Sequence, residues 1–378
     1  MPWKEKTLMS LREEFVGLAV QDEANLSDLC RRFKISRKTG YKWLKRFRQG
    51  GTGALQDRSR CPHSSPGRVS AEMEGEVLEM RAAHPAWGGR KIKARLETLG
   101  KPTPASPNTV TAILRRHHEI DPDEARKHQP FQRFEMPQPN ELWQMDFKGY
   151  FPMLLGGYCH PFTVLEDHSR FLLGLQACPD ETYHTVQKQL TDIFRRYGLP
   201  QRILMDNGSP WGDTTEVPFT ILGAWLIRLD IQISHSRPRH PQTMGKDERL
   251  HRTLQSELLN QVPLPDLPSC QRAFDQWRYE YNFERPHEAL GMLPPATRYQ
   301  PSLRPFPEYL PPVCYEPGEI VRKVGMSGKI SFHNRIFRVG KAFRHQPVAI
   351  RPAMVDGDFD VYFCKQQVAQ ISLREHNP

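Results

Sequence analysis

Three carboxylates of this 378-residue chain occupy positions from which they could hold metal ions. Asp146 and Asp206 each follow a short apolar run that predicts a strand, and Glu248 lies near the start of a predicted helix. Side chains delivered by two strand ends and a helix start can converge on one point. Hard divalent cations prefer carboxylate oxygens, and a pair of them supports attack on a phosphodiester. The three residues therefore predict a phosphoryl-transfer site.

The roles of the three carboxylates follow from that chemistry. Asp146 would bridge two Mg²⁺ or Mn²⁺ ions, and Asp206 and Glu248 would each complete one ion's site. Water or a 3′-hydroxyl would attack, so no side-chain nucleophile is needed. Alone, Asp206-Asn207-Gly208 is typical of a β-turn, and the joint pattern with the other two carboxylates favours the metal site.

Asp247 competes with Glu248 for the third position. Helical periodicity places Asp247 on the face of Leu250 and Leu254, and it directs Glu248 about 100° away. Periodicity alone therefore favours Asp247 as the inward carboxylate.

The distribution of charge indicates a polyanionic partner. The net charge is +10, and residues 1–135 hold 26 Lys and Arg against 17 Asp and Glu, so nearly all of the excess lies in the first third. Predicted helices at 3–20, 25–33 and 37–48 form a helix-turn-helix unit. The third helix is basic, and the alternative is a three-helix core with a solvated basic face. We expect its DNA contacts to be Arg37, Lys38, Tyr41, Lys42 and Lys45.

A second helix-turn-helix unit is predicted from helices at 70–83, 90–99 and 108–117, with Arg90 and Lys91 as DNA contacts. The central segment then alternates strands and helices, which predicts a mixed sheet flanked by helices. Its expected strands are 142–149, 158–165, 170–177, 201–205 and 231–235, and its expected helices are 182–197, 218–229, 244–260 and 269–283. After residue 318, short β-rich runs at 319–324, 329–339, 347–351, 359–365 and 368–373 predict a small β-barrel or sandwich.

The predicted fold is therefore multidomain: all-α helix-turn-helix units, a central α/β mixed sheet and a small C-terminal β-barrel. The predicted boundaries are 1–50 and 70–119 for the helical units, 141–290 for the central domain, 318–378 for the β-rich domain, and linkers at 51–69, 120–140 and 291–317. Seven scattered cysteines and the lack of an 18-residue apolar run predict a cytoplasmic protein with no membrane role.

Three segments resemble the integrase core of bacterial insertion-sequence transposases, which are related to retroviral integrases. They are Trp143–Phe147, Asp206–Ser209 and His240–Leu254. The duplicated N-terminal helix-turn-helix and the segment His84–Ile92 are also similar to the same family, and Tyr281–Gly291 resembles the segment after its core. The family carries an Asp-Asp-Glu triad on an RNase H-like fold, which favours Glu248 over Asp247 as the third residue.

The resemblance implies a bacterial, nucleoid-associated enzyme that binds the terminal inverted repeats of its element. It would nick each end to expose a 3′-hydroxyl, and it would join those hydroxyls to target DNA with two ions in each active site. An oligomer bridging both element ends is expected, and Lys246, Arg249 and Arg252 are expected to contact DNA phosphates beside the active site. The alternatives are a catalytically silent, domesticated transposase acting as a DNA-binding regulator, and a metal-dependent nuclease.

Overall fold

A computed structural model describes residues 8–22, 24–57, 69–120, 135–206, 208–212, 219–235, 245–310 and 312–374. Parts of the predicted linkers and the 240–244 part of the third motif lie outside these residues. The chain divides into two compact units, Met1–Arg68 and Val69–Pro378. In the part of the chain so described, no helix is both long enough and apolar enough to cross a bilayer.

The first unit contains the three predicted helices, α1 (Leu8–Ala19), α2 (Leu26–Arg32) and α3 (Arg37–Gly50). The Ser36 hydroxyl accepts from the Thr39 N–H at 3.1 Å and caps α3, which begins at residue 37 as predicted. Buried Phe15, Cys30, Trp43 and Leu44 form the core of the unit.

The second unit begins with α4 (Ala71–Ala83), α5 (Gly89–Thr98) and α6 (Pro107–Arg116), which matches the prediction of a second helix-turn-helix. These helices enclose Val77, Trp87, Ile92, Leu96, Val110, Ile113 and Leu114. The two later helices cross tightly at Gly89, where an added Cβ would lie 2.4 Å from the Thr111 hydroxyl oxygen. A side chain at this position would force the helices apart.

A mixed sheet forms the centre of the second unit. Its strands are β1 (Leu142–Phe147), β2 (Phe151–Pro152), β3 (Tyr158–Glu166), β4 (Leu172–Cys178), β5 (Arg202–Met205) and β6 (Gln232–His235). The order is β2-β3-β1-β5-β6, with β4 on β3. β1, β5 and β6 are parallel to one another, whereas β3 is antiparallel to β1 and to β4. The predicted mixed sheet is confirmed.

Helices cover both faces of the sheet. α7 (Tyr183–Tyr197) and α8 (Ile221–Arg228) pack on one face, and α9 (Gly245–Leu254) and α10 (Leu267–Tyr279) pack on the other. Two π-helical segments, Gln255–Leu259 and Glu280–Glu284, continue α9 and α10. The predicted helices at 244–260 and 269–283 thus each contain a change of helical type.

The C-terminal region is a sheet domain. Its strands are β7 (Ile320–Lys323), β8 (Lys329–Phe332), β9 (Arg335–Arg338), β10 (Pro347–Pro352), β11 (Asp358–Phe363) and β12 (Gln366–Ser372). They form a four-stranded sheet, β12-β11-β10-β7, and a separate β8-β9 hairpin, so a closed barrel is not shown. The predicted β-rich run at 329–339 contains two strands, because His333 and Asn334 adopt positive φ and make a tight turn between them.

The C-terminal sheet domain also contacts the edge of the central sheet. The Gln366 side-chain oxygen accepts from the Ile233 N–H at 3.2 Å, and its amide donates to the Ile233 carbonyl at 3.4 Å. A single amide side chain thereby pairs with both backbone groups of one residue of β6.

Candidate active site

Strand alternation divides the side chains of β1 between the two faces of the central sheet. Trp143, Met145 and Phe147 enter the core beneath α7 and α8. Gln144 and Asp146 point to the opposite face, where α9 lies. β1 and β5 pair in parallel with Gln144 opposite Leu204. Two residues further along the same register, Asp146 and Asp206 reach the carboxyl edge of the sheet side by side.

The two carboxylates interact electrostatically. Burial and the negative charge of Asp206 raise the pKa of Asp146 to about 7. Burial also raises the pKa of Asp206, although the Gly208 N–H, which donates to its carboxylate at 3.0 Å, opposes this rise. Glu181 raises the pKa of both residues through its negative charge. Acidic groups thus accumulate at this edge.

This pair of residues fits a divalent cation. Within the described residues, neither carboxylate forms an ion pair with a lysine or arginine. Half-buried, mutually repelling oxygen donors are the donor set that Mg²⁺ and Mn²⁺ take, and a bound cation would relieve the repulsion. A third ligand is not assembled, because no three His, Cys, Asp or Glu side chains of the described residues form a metal-binding group.

The structure separates the two candidates for the third carboxylate. Asp247 is 1% exposed, and its carboxylate oxygens have no hydrogen-bond partner among the described residues. Burial, with smaller contributions from the charges of Asp146 and Asp167, raises the pKa of Asp247 well above its usual range. Glu248 is exposed. Periodicity therefore identified the inward carboxylate correctly, and Glu248 stays a prediction as the third ligand.

Helical spacing places His251 and Gln255, three and seven positions after Glu248, near the same side of α9. Glu248 itself is exposed. The His251 Nε2 lies 2.9 Å from the Thr163 hydroxyl, and the Gln255 side-chain oxygen accepts from the Lys148 Nζ at 2.6 Å. Glu248 therefore precedes by one and by two helical turns the side chains that contact β3 and the residue after β1.

His251 is a site residue that sequence reasoning missed. The Thr163 hydroxyl donates to the Asp146 carbonyl at 3.0 Å, so its oxygen is left to accept from the His251 Nε2–H. The His251 Nδ1 therefore carries the lone pair, 3.9 Å from the Asp146 Oδ2. Burial lowers the pKa of His251 to about 4, which keeps the ring neutral. The only sequence signal was its spacing of three from Glu248.

His235, at the end of β6, supports the second aspartate. Its Nδ1–H donates to the Asp206 carbonyl at 2.9 Å, so the ring holds the backbone immediately after β5. This contact gives His235 a structural role at the end of its strand.

The predicted DNA contacts occupy different settings. Exposed side chains form one face of α3, namely Arg37, Lys38, Tyr41, Lys42 and Lys45. Arg249 and Arg252 are exposed on α9, and an Arg249 nitrogen lies 3.9 Å from a Glu288 oxygen. By contrast, Lys246 forms an ion pair with fully buried Asp167, which also accepts from the Gln144 amide at 2.7 Å. Arg90 and Lys91 pair with Glu288 and Glu257. These last three cations are thus engaged by carboxylates within the protein.

Family models match along most of the chain. Residues 11–63 match a helix-turn-helix domain, and residues 39–114 match a homeodomain-like domain. Residues 136–241 and 229–295 match the integrase core domain. Residues 319–378 match the C-terminal domain of IS481 family transposases.

Two relatives are insertion-element proteins. The chain is 22% identical over 240 residues to the IS476 uncharacterized 39.2 kDa protein of Xanthomonas euvesicatoria, covering 61% of this chain and 65% of the relative. It is 23% identical over 158 residues to the IS407 uncharacterized 31.7 kDa protein of Burkholderia multivorans, covering 42% and 54%. The matches thus span between half and two thirds of these relatives. Among solved structures, the BIV integrase catalytic core domain is 23% identical, with a TM-score of 0.33, covering 42% of this chain and 93% of that one.

Proposed function

We propose that this chain, which carries the helix-turn-helix, integrase core and IS481 C-terminal domains of an insertion-element transposase, cuts the ends of its element and joins them to target DNA. The observation that carries the proposal is the Asp146–Asp206 pair at the carboxyl edge of the central sheet. Two adjacent acidic groups with raised pKa values, inside a chain with DNA-binding domains, suit metal-assisted chemistry on a phosphodiester.

Asp146, Asp206 and Glu248 are the proposed holders of two Mg²⁺ or Mn²⁺ ions. When bound, such ions neutralise phosphate charge and lower the pKa of the attacking hydroxyl group. In the first reaction, a water loses a proton as its oxygen attacks the phosphorus, the bond from phosphorus to the 3′ oxygen breaks, and the 3′ oxygen takes up a proton. In the second, the freed 3′-hydroxyl loses its proton, attacks a target phosphorus and displaces a target 3′ oxygen, which takes up a proton. No covalent intermediate with the protein is needed.

The proposed DNA-binding surfaces are those that carry exposed lysine and arginine side chains. The basic face of α3 would bind the terminal inverted repeats, and Arg249 and Arg252 would hold phosphates beside the active site. Joining two ends in one reaction requires more than one copy of the chain, so we propose a homo-oligomer on DNA. The proposed location is the nucleoid of a bacterial cytoplasm. We also propose the domain boundaries predicted from the sequence and a C-terminal domain that closes into a barrel.

The experiment incubates purified protein with Mg²⁺ or Mn²⁺, a labelled duplex carrying the element end, and a plasmid target. The expected result is a nick that exposes the 3′-hydroxyl, followed by transfer of the label to the plasmid. Asp146→Asn and Asp206→Asn should abolish both products. Asp192→Asn is the matched control, because that carboxylate is exposed on α7, and this variant should behave as the unmodified chain.

Each other outcome assigns a different function. Cleavage without transfer supports the metal-dependent nuclease, and binding without cleavage supports the DNA-binding regulator. Comparing Glu248→Gln with Asp247→Asn tests the third ligand. The assignment predicts that Glu248→Gln is inactive, and activity in that variant together with loss in Asp247→Asn would transfer the role to Asp247.

A further inference from the structure

The second helix-turn-helix unit is attached to the catalytic core through ion pairs. Lys91 lies 3.4 Å from the Glu257 carboxylate, and the Arg285 Nε donates to both Glu257 oxygens at 3.0 Å. Around this centre, Arg95 pairs with Glu284 at 2.8 Å and Arg90 pairs with Glu288. We call these residues the Glu257 cluster. Every cation of the cluster except Arg285 comes from α5, and every acid comes from the core.

The centre of the cluster is shielded from water. The side chains of Glu257 and Arg285 are 9% and 11% exposed, and that of Lys91 is 25% exposed. Burial, with a smaller contribution from the positive charge of Arg285, lowers the pKa of Lys91 to about 8. Desolvating two cations around one acid is a costly way to stabilise an interface. A geometric role explains the arrangement better than stability does.

The packing next to the cluster supports that interpretation. His84 stacks on Trp87 at 3.8 Å between ring centroids, beside a cavity of about 50 Å³ that Glu257, Glu280 and Arg285 also line. A contact designed mainly for stability would fill such a space with apolar side chains. Polar partners of fixed geometry instead define one orientation of the two parts.

The core side of the contact uses both π-helical segments. Glu257 belongs to Gln255–Leu259, and Glu284 belongs to Glu280–Glu284. A π turn contains an extra residue, so it rotates the side chains that follow relative to a regular α-helix. Both segments place a carboxylate against α5. π turns are frequent at functional positions, and these two lie where the core meets the helical unit.

One helix links the cluster to the active site. Glu248 and His251 lie on α9, and Glu257 lies on its π-helical continuation. Nine residues of helix span about 14 Å. Because α5 is held by the core, the exposed side of α6, with Asn108, Ala112 and Arg115, is the surface left for duplex DNA.

We infer that the Glu257 cluster is a positioning device that fixes α6 relative to the Asp146–Asp206 pair and so selects the phosphodiester that is cut. This inference rests on the proposed function. Lys91, Glu257 and Arg285 act through the placement of the DNA, and none of them touches the reacting atoms.

The test measures binding, cleavage rate and cleavage position separately on full-length protein. The DNA is an end-labelled duplex of the element end, used at saturating protein. Lys91→Met and Glu257→Gln should each leave the affinity within about twofold. The rate at the correct phosphodiester should fall between about tenfold and a hundredfold, since small misplacements have effects of that size. Cuts at neighbouring positions should appear.

Four further variants separate a positioning role from a general loss of structure. The double variant Lys91→Met/Glu257→Gln should be no worse than Glu257→Gln alone, because the single change already removes the Lys91–Glu257 pair. Lys91→Arg keeps the ion pair and should restore the correct cut. Arg195→Met removes the surface ion pair between Arg195 on α7 and Glu308, and it should leave the cleavage rate and the cleavage position unchanged. Melting temperatures show whether each variant is folded. If Lys91→Met or Glu257→Gln does not fold, Arg95→Met tests the same interface through the peripheral pair with Glu284.

The outcomes are distinct. Variants that cut the correct phosphodiester at the unmodified rate overturn the inference while the proposed function stands. Loss of affinity with a shallower salt dependence identifies Lys91 as a phosphate contact and also overturns it. An unmodified protein that makes no cut at the element end overturns the proposed function and this inference with it.

Discussion

Replacing Asp146 by asparagine should stabilise the metal-free protein above neutral pH. The pKa of Asp146 rises from an ordinary value of 3.8 to about 7 because the carboxyl group is buried and faces the charge of Asp206. Between these values the unfolded chain releases a proton that the folded protein retains. Stability is therefore lost as pH rises from about 4 to about 7, and the loss is complete above that. Asparagine cannot ionise, so the variant lacks this loss.

The size of the effect follows from the same values. At 1.36 kcal/mol for each pH unit, a rise in pKa from 3.8 to about 7 corresponds to about 4 kcal/mol. The Asp146 side chain keeps 27% of its surface exposed, and solvent screening there reduces the expected difference to about 2 kcal/mol. For a domain of this size, that difference shifts the melting temperature by about 5 °C.

The assay is thermal unfolding in EDTA at half-unit steps from pH 4 to pH 8. Asp146→Asn should melt above the unmodified protein at pH 8, and the difference should disappear near pH 4. Excess Mg²⁺ should raise the melting temperature of the unmodified protein at pH 8 and leave the variant nearly unchanged. Asp192→Asn serves as the control for loss of one surface charge. Parallel curves for the unmodified protein and Asp146→Asn across the whole range would refute the reasoning.

Three other predictions test separate parts of the structure. Lys42→Ala, on the exposed face of α3, should reduce the slope of log affinity against log salt by about one, and an unchanged slope removes Lys42 from the DNA surface. Gly89→Ala should cost about 2 kcal/mol in denaturant unfolding because its Cβ meets α6, whereas Gly75→Ala, with nothing within 4 Å, should stabilise by about 0.8 kcal/mol. Asp167→Asn should lower the free energy of unfolding by about 3 kcal/mol, because it removes the buried carboxylate that pairs with the Lys246 ammonium. Adding Lys246→Met to this variant should recover part of the loss. Equal stability of the unmodified protein, the single variant and the double variant would contradict the pairing.

The arrangement of Asp146 and Asp206 was predictable from the sequence because it depends on local rules. Two apolar runs that end in aspartate give two strand ends, and parallel pairing of those strands brings the ends together. The orientation of Asp247 was equally predictable, since helical period alone places it with Leu250 and Leu254. These features require only periodicity and strand order.

Other features depend on contacts between distant segments, and sequence patterns do not encode them. Lys246 looks like any basic residue beside an active site, yet its partner Asp167 comes from the turn between β3 and β4. Lys91 meets an acid 166 positions away. Neither π-helical segment changes the spacing of apolar residues enough to be read from the sequence. The tight turn at His333 and Asn334 could have been predicted from the sequence, because asparagine tolerates positive φ.

The Gln366 amide that pairs with Ile233 has a consequence for fragments of this protein. β6 is the last strand of the central sheet, and in the part of the chain that the structure describes no further strand pairs with it. One side chain of the C-terminal region covers the backbone that would otherwise be open there. A fragment that stops at residue 310 loses this cover and presents an unprotected sheet edge to its neighbours. Such a fragment should self-associate through that strand, so a dimer of the isolated catalytic core would not by itself report the oligomer that works on DNA.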